Sequence, residues 1–126
     1  MTKEQALYSF YASFGLTAYE QSSVPTGDDA PDFPYLTYTV STGSFGDGDI
    51  MQSVSLWYRS TSWTEINAKA SEMAAVLSRT GKLIRYDGGS IWLRAGKPFA
   101  QSMGDPDDGT IRRKLINIVA EFISDT

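Results

Sequence analysis

A chain of 126 residues has the length of one domain, and it holds neither cysteine nor histidine. Disulfides and thiolate metal sites are thereby excluded. The commonest general base and metal ligand is also missing, which removes most hydrolase triads and zinc sites. A net charge of −4, with a pI of about 4.7, speaks against a protein that coats nucleic acid non-specifically.

Sixteen aromatic residues (three Trp, seven Tyr, six Phe) supply bulky material for a core. A domain of this size buries roughly two-thirds of the surface of its unfolded chain, enough for one core without staples. Residues 1–5 are polar and run into a helical pattern, so a signal peptide is not expected. No apolar run approaches the roughly 20 residues of a membrane span.

Residues 2–14 read as a helix. Thr2 and Gln5 have the spacing of a capping box, in which each side chain satisfies a free backbone N–H at the helix start. Leu7, Phe10, Tyr11 and Phe14 recur at helical spacing and make one aromatic face. Gly15 is the expected C-cap. Residues 16–20 form a short strand candidate. Residues 21–34 hold three prolines, a glycine and three aspartates, which reads as a loop. Loops this long are unusual in compact domains and are often functional. Residues 35–41 alternate Tyr35, Thr37 and Thr39 against Leu36, Tyr38 and Val40, the pattern of a half-buried strand. The glycine-rich residues 42–49 connect it to a strand at 50–58, and the pair reads as a long hairpin with a mobile tip.

At Leu56-Trp57-Tyr58-Arg59 an aromatic strand ends, and a second helix begins after a few polar residues. Ser62 and Glu65 have the spacing of another capping box. The helix, at about 63–79, carries Ile66, Ala70, Met73, Ala74 and Leu77 on one face, and Gly81 ends it. Residues 82–86 and 90–95 flank Asp87-Gly88-Gly89, a hairpin signal because these residues tolerate positive φ. Residues 97–103 follow as an extended segment after a bend, and 104–109 form an acidic turn.

The segment 111–123 fits two patterns. Ile111, Leu115, Ile118 and Phe122 fit a helix face, whereas Ile116, Ile118, Ala120 and Phe122 fit a strand face. Four β-branched residues within 116–123 favour the strand. The order helix, strands, helix, strands predicts a single α+β domain over residues 1–126. It would hold an antiparallel or mixed sheet with two main helices packed on one face, plus long loops and a hairpin.

Few residues offer chemistry. Asp105, Asp107 and Asp108 alternate in a turn, and such carboxylates can cage calcium. The EF-hand pattern needs a distant bidentate Glu, and none is in register, so a solvated turn is the simpler reading. Asp28, Asp29 and Asp32 lie on a Pro/Gly loop with no histidine to make them catalytic. Arg112-Arg113-Lys114 suits phosphate or a partner's carboxylates, or a local balance against Asp105–Asp108. Arg59 suits stacking on a ring or an ion pair at a subunit contact, or a solvent-facing strand end. Gly88-Gly89 lacks the Lys and Ser/Thr of a phosphate loop. Trp57, Trp63 and Trp92 are most simply core or sheet residues, although three tryptophans exceed what a small core needs. No nucleophile is paired with a base, so no catalytic residue, cofactor or metal ligand is assigned.

Five segments taken in order resemble a family of small tail-assembly proteins of long-tailed phages, the tail terminator or tail-completion (head–tail joining) group. They are Phe33-Pro34-Tyr35-Leu36-Thr37-Tyr38, Leu56-Trp57-Tyr58-Arg59-Ser60-Thr61-Ser62-Trp63, Asp87-Gly88-Gly89-Ser90-Ile91-Trp92-Leu93, Gly96-Lys97-Pro98-Phe99-Ala100-Gln101, and the end from Arg112-Arg113-Lys114 to Phe122. The resemblance implies a structural virion protein with no catalytic residue. Its copies would form a ring, usually hexameric, that closes the head-proximal end of the tail tube and stops tube polymerisation. Implied partners are other copies of itself, the major tail tube protein and the head–tail connector, after assembly in the host cytoplasm. The resemblance also makes the last segment a strand. Alternatives are another connector or minor tail protein of the same particle, or a small cation-binding domain using the acidic loops.

A domain of this length has a radius of gyration of about 14 Å and is about 35 Å across. Six such spheres in a ring leave a hole of about 35 Å, wide enough for a DNA duplex. An acidic subunit would pass DNA without gripping it. Interface residues are expected among Trp57, Tyr58, Arg59, Asp28, Asp29, Phe45, Arg112 and Arg113. The subunit contact would lie on the aromatic strand pair, and the loops 21–34 and 42–49 would reach the tube or the connector.

Overall fold

The structure, a computed structural model, describes residues 1–125. In chain order it contains α1 (Lys3–Ala12), β1 (Thr17–Glu20), β2 (Tyr35–Tyr38), β3 (Asp49–Arg59), α2 (Thr64–Leu77), β4 (Lys82–Tyr86), β5 (Gly89–Gly104) and β6 (Ile111–Ser124). This is the expected α+β fold. Six strands form one mixed, curled sheet in the order β1-β2-β3-β6-β5-β4, and both helices contribute to a single core. Helix α2 lies over β3, β5 and β6, while α1 touches both edge strands, β1 and β4, and spans the open side of the curl.

The two helix starts differ. At α1 the capping box forms: Thr2 Oγ1 accepts from the Gln5 amide at 3.1 Å, and Gln5 Oε1 accepts from the Thr2 amide at 2.9 Å. At α2 the expected Ser62–Glu65 box is absent. Ser62 Oγ accepts from the Thr64 amide at 3.1 Å, only two residues on, and the Ser62 amide donates to Ser60 Oγ at 3.0 Å. Two serines thus satisfy each other's neighbourhood locally, and the amide that Glu65 would need is already taken. Trp63 becomes the N-cap without a side-chain bond. The helix ends at Ser78, with φ 57°, rather than at Gly81. Gly81 serves the next step, with φ +88° and no room for a Cβ beside Trp92 and the Leu93 carbonyl.

The central pairing is β3 with β6, antiparallel from Asp49↔Glu121 to Arg59↔Ile111. The last segment is therefore a strand. Ile116, Ile118, Ala120 and Phe122 all point into the core, so period 2 prevails over the helical spacing that would have grouped Leu115 with Ile118. Strand β2 stops at Tyr38, short of the expected Ser41; past it the Thr39 amide still donates to the Ser53 carbonyl at 2.9 Å, and the side chain of buried Gln52 takes the Ser41 carbonyl (Nε2 to O 2.6 Å). Strands β1 and β2 are parallel. Parallel neighbours need a crossover of a dozen or more residues, which gives the loop 21–34 a topological reason for its length.

Strand β5 continues through the predicted bend. Ala95 faces Ile118 and Ala100 faces Ile116, so residues 96–99 bulge opposite Asn117 alone. Asn117 holds the bulge by donating from Nδ2 to the Pro98 carbonyl at 2.9 Å. Leu7, Leu36, Val54, Leu56, Met73, Leu77 and Ile118 are fully buried between sheet and helices. Each is worth about 1.5–3 kcal/mol of burial. Among the described residues, no helix is long and apolar enough to cross a membrane.

Candidate interaction surfaces

Alternation along β3 sends Val54, Leu56 and Tyr58 to the helices, and Ser55, Trp57 and Arg59 to the opposite face. Register then sets the neighbours on that outer face. Tyr35 lies beside Trp57, and Trp57 beside Arg113. The Tyr35 and Trp57 rings stack with centroids 6.0 Å apart and planes 12° apart. Tyr19 meets Tyr35 edge-on at 6.3 Å, and Phe33 lies 5.3 Å from Tyr35. The Arg113 guanidinium sits 4.9 Å from the Trp57 ring, and its Nε donates to Ser55 Oγ at 3.2 Å. Trp57 Nε1 donates to Thr37 Oγ1 at 3.0 Å. The result is a half-exposed row of rings and guanidinium that lies over Thr37 and Ser55 and is itself uncovered by either helix. Met103, opposite Arg113 on β5, extends the row and is exposed, and Met51 is exposed further along β3.

The candidate residues therefore divide. Trp57 and Arg113 join this row, whereas Tyr58 is buried on the helix side at 6% exposure and is removed from any surface of the free subunit. Burial also raises the Tyr58 phenol above its ordinary range, with Glu65 and Glu72 adding to it. Arg112 and Lys114, next to Arg113 in sequence, point to the other side of β6. Arg112 lies 5.0 Å from the Trp63 ring and donates to the Thr61 carbonyl at 3.0 Å. Lys114 lies 5.7 Å from the same ring and donates to Ser102 Oγ at 2.7 Å. None of the three pairs with Asp105–Asp108, so the expected local charge balance is corrected. Strand alternation splits the run and gives each cation an indole to rest on.

Arg59 takes the pairing role instead. Its Nη1 donates to Asp108 Oδ2 and Thr110 Oγ1, both at 2.9 Å, and its guanidinium stacks 4.8 Å from Phe33. Its ion pair is internal, joining the acidic turn to the end of β3. The Thr110 hydroxyl and amide, and then Arg59, lower the Asp108 carboxyl to about 2. Asp105 Oδ1 accepts from the amides of Asp107 and Asp108 at 2.8 and 3.1 Å. Among the described residues, no group of three or more Asp, Glu, His or Cys is placed to hold a metal ion.

Asp28, Asp29 and Asp32 are exposed and carry no hydrogen bond or ion pair among the described residues. Phe45 is 65% exposed at the tip of the β2–β3 connection. That connection is braced by Lys3 Nζ on the Gly43 carbonyl at 2.6 Å and by the Ser44 amide on Asp47 Oδ2 at 2.8 Å.

A second feature escapes the sequence. Where α2 ends beside the β5 bulge, a cleft of about 920 Å³ is lined by Ala74, Ala75, Arg79, Lys97, Phe99 and others. Arg94 enters it from β5, pairs with Asp49, lies 3.8 Å from Glu121 and stacks 4.2 Å from Trp92. These cations come from two segments, Arg79 from the end of α2 and Arg94 and Lys97 from β5, and only the fold brings the two together.

Comparison with protein-family models, with curated proteins and with solved structures finds no match to this chain.

Proposed function

We propose that the chain is a structural subunit of a long-tailed phage tail, a terminator whose copies form a ring at the head-proximal end of the tail tube. The ordered sequence segments supply the family. The observation that carries the reading is the uncovered sheet face, where Tyr19, Tyr35, Trp57 and Arg113 form one row continued by exposed Met103. Aromatic residues, Met and Arg are the types that protein interfaces favour. The row is fixed by stacking and by its bonds to Thr37 and Ser55 before any partner arrives, which lowers the ordering cost of binding. We assign this face to the tail tube protein. An acidic subunit lining the lumen lets DNA through without counterion release.

The test is assembly on tail tubes. Purified chain added to uncapped tubes should form a ring at one end, visible by negative stain, and should stop further elongation. Trp57→Ala should lose this binding while remaining folded. A chain that neither binds tubes nor limits their length overturns the reading.

A further inference from the structure

On an acidic chain, the cleft at the end of α2 is locally basic. Three cations, Arg79, Arg94 and Lys97, line it with one carboxylate, Asp49. Arg94 is spent on Asp49 and on Glu121 nearby. Arg79 and Lys97 have no hydrogen-bond or ion-pair partner among the described residues. Between these charges the floor is apolar, with Ala74, Ala75 and Phe99.

The loop 27–32 has the complementary layout. Asp28 and Asp29 lie on one side of Ala30-Pro31, and Asp32 lies on the other. All three carboxylates are exposed and unpartnered among the described residues. The loop is held in shape. The Ala30 amide bonds the Gly27 carbonyl at 3.1 Å, and the adjoining Phe33 is clamped between Arg59 and Tyr35. A pre-ordered loop binds at lower entropic cost.

Position decides where the loop goes. Residues 30–34 lie beside Arg59 and Glu65, at the end of β3 and the start of α2. The cleft lies beside Asp49 and Ser78, at the start of β3 and the end of α2. Fourteen residues of α2 separate them, about 21 Å of helix. The loop of one copy therefore lies at the other end of α2 from its own cleft. We propose that it seats in the cleft of the next copy, with Asp28, Asp29 and Asp32 against Arg79 and Lys97 and Ala30-Pro31 on the apolar floor. Two different patches meet in such a contact, so it is heterologous, and repetition closes a ring when the rotation allows. Closure into a ring rests on the reading above; the contact itself rests on charge and shape. It moves the self-contact from the aromatic strand pair to the two ends of the subunit and leaves the aromatic face to the tube.

The experiment uses two one-sided variants of the full chain, followed by sedimentation at low and high salt. Arg79→Gln with Lys97→Gln disables the cleft and keeps the loop. Asp28→Asn with Asp29→Asn and Asp32→Asn disables the loop and keeps the cleft. All five side chains are exposed, so circular dichroism and thermal unfolding should match the parent. The parent should self-associate at low salt and weaken as the screening length falls from about 10 to 3 Å between 0.1 and 1 M. Each variant alone should associate at least about tenfold more weakly. Mixed, they should form a one-to-one dimer that grows no further, because only one productive loop–cleft pair remains. Variants that assemble like the parent overturn the contact and leave the ring reading standing. A parent that forms only a closed pair of subunits, abolished by both variants, upholds the contact and overturns the ring. A parent that stays monomeric at low salt and millimolar concentration overturns the contact, while tube capping still reports on the ring.

Discussion

Trp57 and Tyr58 are adjacent in the chain and similar in chemistry, yet they lie on opposite faces of β3. Tyr58 is buried with Val54 and Leu56 on the side of α2, where β6 sets Arg112 opposite Tyr58 and Ile116 opposite Val54. Trp57 stands half-exposed in a row with Tyr35 and Arg113, and its outer-face neighbourhood is polar, with Thr37 and Ser55 beneath the rings. One face is apolar and closed by helices. The other is aromatic and cationic, and no helix closes it. The difference shows that aromatic content alone says little about role. Each ring has an arginine opposite it on β6, so the helix cover makes the difference: Tyr58, packed in one cluster with Val54, Leu56 and residues of α2, builds the core, while Trp57, bonded to Thr37 and left uncovered, builds a surface.

The sharpest test of the contrast is a pair of truncations. Leu56→Ala leaves a cavity in the closed face and should cost about 2–5 kcal/mol by urea unfolding. Trp57→Ala removes one stacked pair, one cation–π contact and one hydrogen bond, each worth about 0.5 kcal/mol at a half-exposed site. It should cost less than Leu56→Ala in stability and more in tube binding. Equal losses of stability would make the outer face a second core layer and dissolve the distinction.

Much of this architecture is legible in the sequence, for a reason that also explains the failures. Period-2 alternation places Ile116, Ile118, Ala120 and Phe122 inward, and Asp87-Gly88 marks the β4–β5 turn, because both are local signals. The first helix's capping box is likewise local and forms as read. The second fails because Ser60, outside the four-residue pattern, competes for the same amide. Arg112-Arg113-Lys114 reads as one basic cluster along the chain, but in a strand neighbouring residues face apart, so the cluster does not exist in space. The cleft is invisible for a different reason. Arg79 follows the end of α2, while Arg94 and Lys97 lie in β5 on either side of the start of its bulge, and no spacing rule links the helix end to that strand. Arg59 with Asp108 is equally non-local, joined only by the β3–β6 register.

A smaller effect should come from the outer edge of the same face. Asp108 is held well below the ordinary carboxylate value of 3.8, at about 2, by Thr110 and Arg59. A carboxyl depressed in the folded state contributes stability above its unfolded pKa and loses it as pH falls through the folded one. Asp108→Asn should therefore lower the unfolding midpoint at pH 7, and the gap to the parent should close between about pH 4 and pH 2. The group is exposed, so the shift should be modest. A gap that persists unchanged below pH 2 would mean that the carboxyl's charge contributes nothing and that only the turn's hydrogen bonds matter. Arg59→Ala should show the same pH dependence in weaker form, since Arg59 ranks behind Thr110 among the causes.

The smallest expected effect probes how dry the closed face is. Tyr11 is fully buried, with its ring 4.7 Å from Tyr38 and 5.7 Å from Phe10, and its hydroxyl has no hydrogen-bond partner among the described residues. Burial first, then Tyr38, pushes the phenol well above its ordinary range, so the group stays neutral at any working pH. A buried hydroxyl without a partner costs its desolvation and returns nothing, whereas a phenylalanine keeps the ring contacts. Tyr11→Phe should therefore be neutral or stabilise by up to about 1 kcal/mol. A loss of about 1 kcal/mol or more would mean that the hydroxyl is bonded, and the nearest source is a trapped water. The inner face would then be wet at its centre, and the contrast between a dry closed face and a polar open one would have to be drawn at α2 alone.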